Sequence, residues 1–251
     1  MIMSCSTVGD ERRMHTIETI EVNGNPMEVF LFRPVGDGPF PGILLAMHIP
    51  GHSGIENDEF TLRTAERLAR NGYMTAVPFI FHWWPKGDEM GGKRDGFRDD
   101  WAVADLTAAL ELLRGRDDTN SEQVGIVGHC WGGRVAWLGA CHLPGLKAAA
   151  IFYGGRIKTA MGEGNPPAID LVANISCPVI GFFGNDDKFP TPEDVDDYQA
   201  ALDRAGVPYS FHRYDGAGHA FQSFNSADHY REAQSEDAWE KLLVFLHEKL
   251  K

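Results

Sequence analysis

The sequence predicts an α/β protein, a mostly parallel central sheet covered by helices on both faces. Three observations lead there. Short apolar runs alternate with helical stripes along the chain, the pattern of repeated βαβ units. One run, Gly42-Ile-Leu-Leu-Ala-Met47, is apolar throughout, as a strand buried on both faces must be. The chain has 251 residues, 43% hydrophobic and 24% charged, enough to bury a large core without disulfides or structural metals. Residues 1–251 read as one domain, with 1–14 an N-terminal extension expected to be poorly ordered.

Taken in order, Thr16–Val22 and Met27–Arg33 are strands flanking the turn Asn23-Gly24-Asn25, a hairpin signal. The buried run 42–47 follows. Asp58 to Arg70 is a helix with Thr61, Ala65, Leu68 and Ala69 on one face and Asn71-Gly72 as its stop. Tyr73–Val77 is the next strand, and Phe79 to Gly96 is an irregular stretch rich in Trp, Gly and Asp. The helix Arg98–Leu113 aligns Ala102, Leu106, Ala109 and Leu113. Gln123–Val127 is a short strand, and Gly132–Cys141 is a helix apolar almost all round, which belongs in the middle of a domain. Strands at Ala148–Tyr153, Pro178–Phe183 and Tyr209–Tyr214 follow, with a helix over 193–205 between the last two. A final helix carries Trp239, Leu242, Leu243 and Leu246 at helical spacing.

Charge and cysteine usage exclude several classes. A formal net charge of −13 repels nucleic acid and anionic membrane, so neither is expected as a partner. The polar start MIMSCSTVGDERRMHT lacks the apolar core of a signal peptide, and no run is long enough to span a bilayer. Cys5, Cys130, Cys141 and Cys177 form no CxxC pair and no zinc spacing. A reducing cytoplasm with free thiols is the expectation, with no metal and no cofactor. His48 and His52 are four apart, but Pro50-Gly51 breaks any helix that could align them on a metal. Cys141 and Cys177 sit on apolar elements and read as inert core residues.

The sharpest chemical signal is Gly128-His129-Cys130-Trp131-Gly132-Gly133, between an apolar strand and an apolar helix. This is the G-x-nucleophile-x-G pattern of a nucleophile elbow, with cysteine as the nucleophile. The glycines are needed because a sharp turn strains the nucleophile's backbone and packs its neighbours against strand and helix. Such a turn sets sulfur at a helix N-terminus, where unpaired N–H groups favour thiolate. The architecture thereby narrows to an α/β-hydrolase fold.

A cysteine nucleophile needs a base, and the base an orienting acid. In this fold they follow in the order nucleophile, acid, base. After the strand ending at Phe183 comes Gly184-Asn185-Asp186-Asp187-Lys188, where either aspartate can serve, since spacing does not separate them. After the next strand comes Gly216-Ala217-Gly218-His219-Ala220-Phe221. Of the ten histidines, only His219 follows the acid loop at the carboxyl end of a later strand.

At these residues the chain closely resembles the dienelactone hydrolase (carboxymethylenebutenolidase) family. The resemblance runs from Pro41 to the final helix and rests on the G-x-C-x-G-G elbow, a Gly-x-x-Asp loop leading into Pro190-Thr-Pro192, and Gly216-Ala-Gly-His219-Ala-Phe. It selects Asp187 over Asp186, implying a Cys130–His219–Asp187 triad. Oxyanion donors are expected at the Trp131 amide, after the nucleophile, and in His48-Ile49-Pro50-Gly51, where Pro50 has no N–H and Ile49 is the better donor. In the best-known branch of the family a glutamate stands where this chain has His48, which makes His48 a second catalytic or binding candidate. That branch also grips a substrate carboxylate with two arginines, and the matching positions here are Trp83 and Ser223. Trp83 lies in an aromatic cluster, Phe81-His82-Trp83-Trp84, and Arg156, after Tyr153, is a candidate replacement charge.

The expected activity is hydrolysis of a small ester or enol lactone through a thioester, by a monomer or homodimer. Two other classes compete. A cysteine-elbow amidotransferase or peptidase also sets Cys at a strand–helix turn, but some of those place His directly after it, where this chain has Trp131. A non-catalytic binding member of the fold is disfavoured by an intact triad.

Overall fold

The structure, a computed structural model, describes residues 15–49 and 54–251. The extension 1–14 with Cys5, and the segment 50–53 with Pro50, Gly51 and His52, lie outside the described residues.

The described residues form eight strands: β1 (His15–Val22), β2 (Asn25–Phe32), β3 (Phe40–Ala46), β4 (Met74–Pro78), β5 (Thr119–His129), β6 (Ala148–Phe152), β7 (Val179–Gly184) and β8 (Tyr209–Tyr214). They form one sheet in the order β1-β2-β4-β3-β5-β6-β7-β8. From β4 to β8 every pairing is parallel, and only the β1–β2 hairpin and its junction with β4 are antiparallel. In the hairpin Val22 pairs with Asn25, so the turn is the dipeptide Asn23-Gly24, at φ 48° and 80°. A two-residue turn of this kind needs positive φ at both positions, which Asn and Gly tolerate. Asn25 therefore opens β2 rather than closing the turn.

Among the described residues six α-helices flank the sheet: α1 (Glu59–Arg70), α2 (Met90–Asp95), α3 (Asp99–Arg114), α4 (Trp131–His142), α5 (Pro192–Ala205) and α6 (Glu232–Leu250). Successive residues of β5 show that both faces are covered. A methyl group on Gly125 would touch Leu250 of α6, whereas Ile126 packs on Gly139 of α4. Neighbours on a strand point to opposite faces, so α4 and α6 lie on opposite sides of the sheet. The central strands carry the core accordingly: Ile43–Met47, Val124, Ile126, Val127 and Ala148–Phe152 are all buried.

Helix α4 is buried from Trp131 to Cys141, as an all-round apolar pattern requires. Its one charge, Arg134, is buried too, and Asp99 at the start of α3 neutralises it through two bonds, Nη1–Oδ1 at 2.5 Å and Nη2–Oδ2 at 3.0 Å. A buried guanidinium is tolerated only with such a partner.

Two elements depart from the sequence expectation. The stretch read as irregular contains α2, which Gly91-Gly92 and its charged residues left without an apolar stripe. Strand β5 begins at Thr119 rather than Gln123, because pairing with β3 jumps from Asn120 to Val124. The residues between them bulge, and that masks the strand's period. No helix among the described residues is long and apolar enough to cross a membrane.

Candidate active site

Cys130 sits alone between β5 and α4 with φ 56° and ψ −117°. For a residue with a side chain this is a strained backbone, costing on the order of 1–3 kcal/mol and held only where the surroundings over-determine it. They do so here. The Cys130 N–H donates to Phe152 O at 3.0 Å. A Cβ on Gly128 would fall on the Gly132 carbonyl, and one on Gly132 on the Ala46 carbonyl. No larger residue fits at either position, so the two glycines of the motif are steric requirements of the bend.

The sulfur points at His219, with Sγ 3.1 Å from Nε2. On the far side of the ring Nδ1 lies 2.9 Å from Asp187 Oδ2. The other carboxylate oxygen of Asp187 accepts the Phe189 N–H at 2.8 Å. Asp187 follows β7 and is buried, while Asp186 beside it is exposed. The structure thus separates two aspartates that spacing could not. Cys130, Asp187 and His219 come from the carboxyl ends of β5, β7 and β8, where parallel sheets of this kind place their ligand sites.

Burial works against a charge on His219, but hydrogen bonds to Asp187 and Cys130, with the fields of both, outweigh it and push the imidazole up to about 10. The ring therefore favours the imidazolium at neutral pH, with both N–H groups donating. Behind it the Tyr153 ring makes an edge contact at 5.2 Å. Burial holds the Tyr153 phenol well above its ordinary value, so it stays neutral. Burial raises Cys141 to about 12 and Cys177 to about 11, which keeps both protonated and inert.

Sulfur and imidazole open into a cavity of about 500 Å³. Ile49, Trp131 and Arg156 line it, as expected from the sequence. Trp131 is the first residue of α4, where a helix leaves its N–H groups unpaired. His48, Trp83 and Ser223 do not line it. Trp83 donates Nε1 to the buried Asp105 at 3.1 Å and stacks on Trp101 at 4.6 Å, so it is committed to packing. His48 is held through Nδ1 by Asp58 Oδ2 at 2.6 Å and packs on Phe60, with Asp58 also capping α1. Ser223 closes a turn onto Ala220 O at 2.8 Å.

Beyond Arg156, the sequence reading missed the cavity's charge. Arg94, Arg134, Arg156, Lys188 and Arg231 line it, against Asp186, Asp187 and Asp228. In a chain of net charge −13 this local cationic excess is a feature of the site. Arg134 is taken by Asp99, and Arg231 by the carbonyls of Gly216, Asp228 and Tyr230. Arg94 and Arg156 have no ion pair among the described residues, which leaves their guanidinium groups available.

Comparisons with known proteins identify the family. The model of the dienelactone hydrolase family matches residues 27–250. A Synechocystis protein named "Putative carboxymethylenebutenolidase" is 30% identical over 247 residues, covering 94% of this chain and 97% of its own. A Bradyrhizobium protein named "Probable 2-oxo-3-(5-oxofuran-2-ylidene)propanoate lactonase" is 25% identical over 233 residues, with 90% and 91% covered. Among solved structures, a "Putative Dienelactone Hydrolase" from Klebsiella pneumoniae superposes with a TM-score of 0.79 at 26% identity, covering 93% of this chain and 98% of that one. A match over nearly the full length, together with the cysteine elbow and its imidazole–carboxylate pair, places this chain in the dienelactone hydrolase family, and it is a hydrolase.

Proposed function

We propose that the enzyme hydrolyses a small anionic ester or enol lactone through a thioester on Cys130, with His219 and Asp187 completing the triad. The observation that carries this reading is the continuous relay from Sγ to Nε2 and from Nδ1 to Oδ2, opening into the cavity. An imidazolium 3.1 Å away stabilises the sulfur as an anion. Sγ attacks the carbonyl carbon, and the Ile49 and Trp131 amides receive the developing oxyanion. The carbonyl re-forms as the C–O bond breaks, and His219 Nε2 gives its proton to the departing oxygen. The now neutral ring takes a proton from water, whose oxygen attacks the thioester. The C–S bond breaks, and thiolate and imidazolium are restored. A ring that begins as an acid suits substrates with good leaving groups, such as enols, better than amides.

The cationic wall supports the anionic substrate class. Arg94 and Arg156 offer planar donor forks with no ion pair among the described residues, the group best matched to a carboxylate. The named substrate of the Bradyrhizobium relative is itself a carboxylate-bearing unsaturated lactone. This chain would reach the same chemistry with arginines on α2 and on the loop after β6, in place of Trp83 and Ser223.

Steady-state hydrolysis of p-nitrophenyl acetate and of the p-nitrophenyl hemiester of succinate tests the reading. The purified enzyme is expected to cleave both and to favour the anionic ester. Arg94→Gln or Arg156→Gln should raise KM for the succinate hemiester by about tenfold, the worth of one lost charge-assisted bond. Failure to hydrolyse either ester would overturn the proposed activity. Equal loss on both esters in the arginine variants would overturn the anionic substrate class.

A further inference from the structure

A buried polar chain runs behind the site, from the residue before the nucleophile to the loop that bears His219. His129 Nε2 lies 2.8 Å from Gln222 Oε1, and Gln222 Nε2 donates to Ser235 O in the first turn of α6 at 3.3 Å. His129, Gln222 and Ser235 are each 2% exposed, so this chain is sealed from water. Its polarity is fixed by the far end. A carbonyl oxygen only accepts, so Gln222 must turn its amide nitrogen to Ser235 and its oxygen to His129. His129 must then donate from Nε2, as a neutral ring. Burial, with His48 nearby and despite the Gln222 bond, pushes its imidazole down to about 3, so it remains neutral at every working pH.

The loop so held needs holding. Ala220, directly after His219, has φ 59°, a left-handed conformation that disfavours any side chain. Phe221 is fully buried and its carbonyl accepts the Arg231 N–H at 2.9 Å. Besides His219 itself, Gln222 joins this turn to the elbow through a side-chain bond. The His129 ring is itself clamped, stacked on Phe152 at 4.2 Å and met edge-on by Phe60 at 5.2 Å.

We propose that His129 and Gln222 are positioning residues: an uncharged strut that sets the His219 loop at its working distance from the Cys130 elbow. The inference rests on the acyl-transfer reading above for its consequence in turnover. It says that the Sγ–Nε2 separation depends on a bond made one residue upstream of the nucleophile and three residues downstream of the base. An uncharged pair suits that role, because a titrating strut would make the distance vary with pH.

His129→Phe removes the donor while keeping a flat ring between Phe152 and Phe60. His129→Gln restores an N–H at about the reach of the imidazole Nε2. The full-length enzyme and both variants should be compared by kcat and KM for p-nitrophenyl acetate, by the rate of Cys130 alkylation with iodoacetamide, and by Tm. We expect His129→Phe to lower kcat by about 10- to 100-fold, the effect of an ångström-scale misplacement, with KM within about twofold. Cys130 alkylation should slow in parallel, and His129→Gln should recover most of both. A fall in Tm with kcat and alkylation unchanged would overturn the proposal, as would His129→Gln performing no better than His129→Phe. Alkylation needs no substrate, so it reports on the strut even if the ester reading fails, which would show instead as absent turnover in the wild-type enzyme.

Discussion

Cys130→Ser is expected to lower kcat/KM for p-nitrophenyl acetate by about 10³-fold or more, the scale of losing a nucleophile's full function. Serine occupies the same bend and could in principle attack the same carbonyl. Its hydroxyl must first surrender a proton, and the base in reach among the described residues is His219. Asp187 keeps drawing that ring toward the imidazolium, which has no lone pair to receive the proton. A site arranged to stabilise an anionic sulfur is therefore poorly arranged to deprotonate an alcohol. The hydroxyl oxygen also sits further from Nε2, since its bond to Cβ is shorter than the C–S bond. Steady-state hydrolysis checks this directly, and near-wild-type turnover would show that the site is not arranged specifically for an anionic sulfur.

Asp187→Asn should cost about 10³- to 10⁴-fold in kcat, whereas Asp186→Asn should stay within about threefold. The first magnitude follows from hydrogen-bond direction. Phe189 N–H already donates to one oxygen of residue 187, so an asparagine must keep its carbonyl there and turn its NH₂ toward His219. His219 Nδ1 would then have to accept, leaving the proton on Nε2, against the sulfur. That tautomer cannot take a proton from water. The extra positive charge on the ring would be lost with the carboxylate, and sulfur with it would lose its counter-ion. Asp186 is exposed and its side chain is not bonded to the relay, so its amide changes only local field. Measuring kcat for both variants at pH 7 separates them, and equal losses would contradict the assignment of Asp187.

The sequence was most informative where geometry leaves few options. The bend at Cys130 tolerates only glycine at 128 and 132, so the motif is visible as letters. The order of elbow, acid loop and histidine loop follows from chain connectivity, and the continuous apolar runs of β3, β6 and β7 mark them as central strands. Long-range partnerships left no such trace. Nothing in Arg94's neighbourhood advertises that a glycine-rich helix carries it into the cavity beside Arg156, which is 62 residues later in the chain. The aromatic cluster misled for the complementary reason. Trp83, in that cluster, stands where the resemblance implies a substrate contact, yet Asp105, two turns into α3, captures its indole N–H. His48 is a catalytic or binding candidate by the same resemblance, and Asp58, the cap of α1, holds it away from the cavity. The strut through Gln222 joins residues 93 apart and was equally invisible.

The claim beneath all of this is that Cys130 rests as an activated sulfur, paired with an imidazolium. Alkylation of the intact enzyme by iodoacetamide at pH 7, followed by peptide mapping, measures it without assuming any substrate. The account predicts that Cys130 is modified at least about tenfold faster than glutathione under the same conditions, while Cys141 and Cys177 remain unmodified. Modification of Cys130 no faster than glutathione would contradict it.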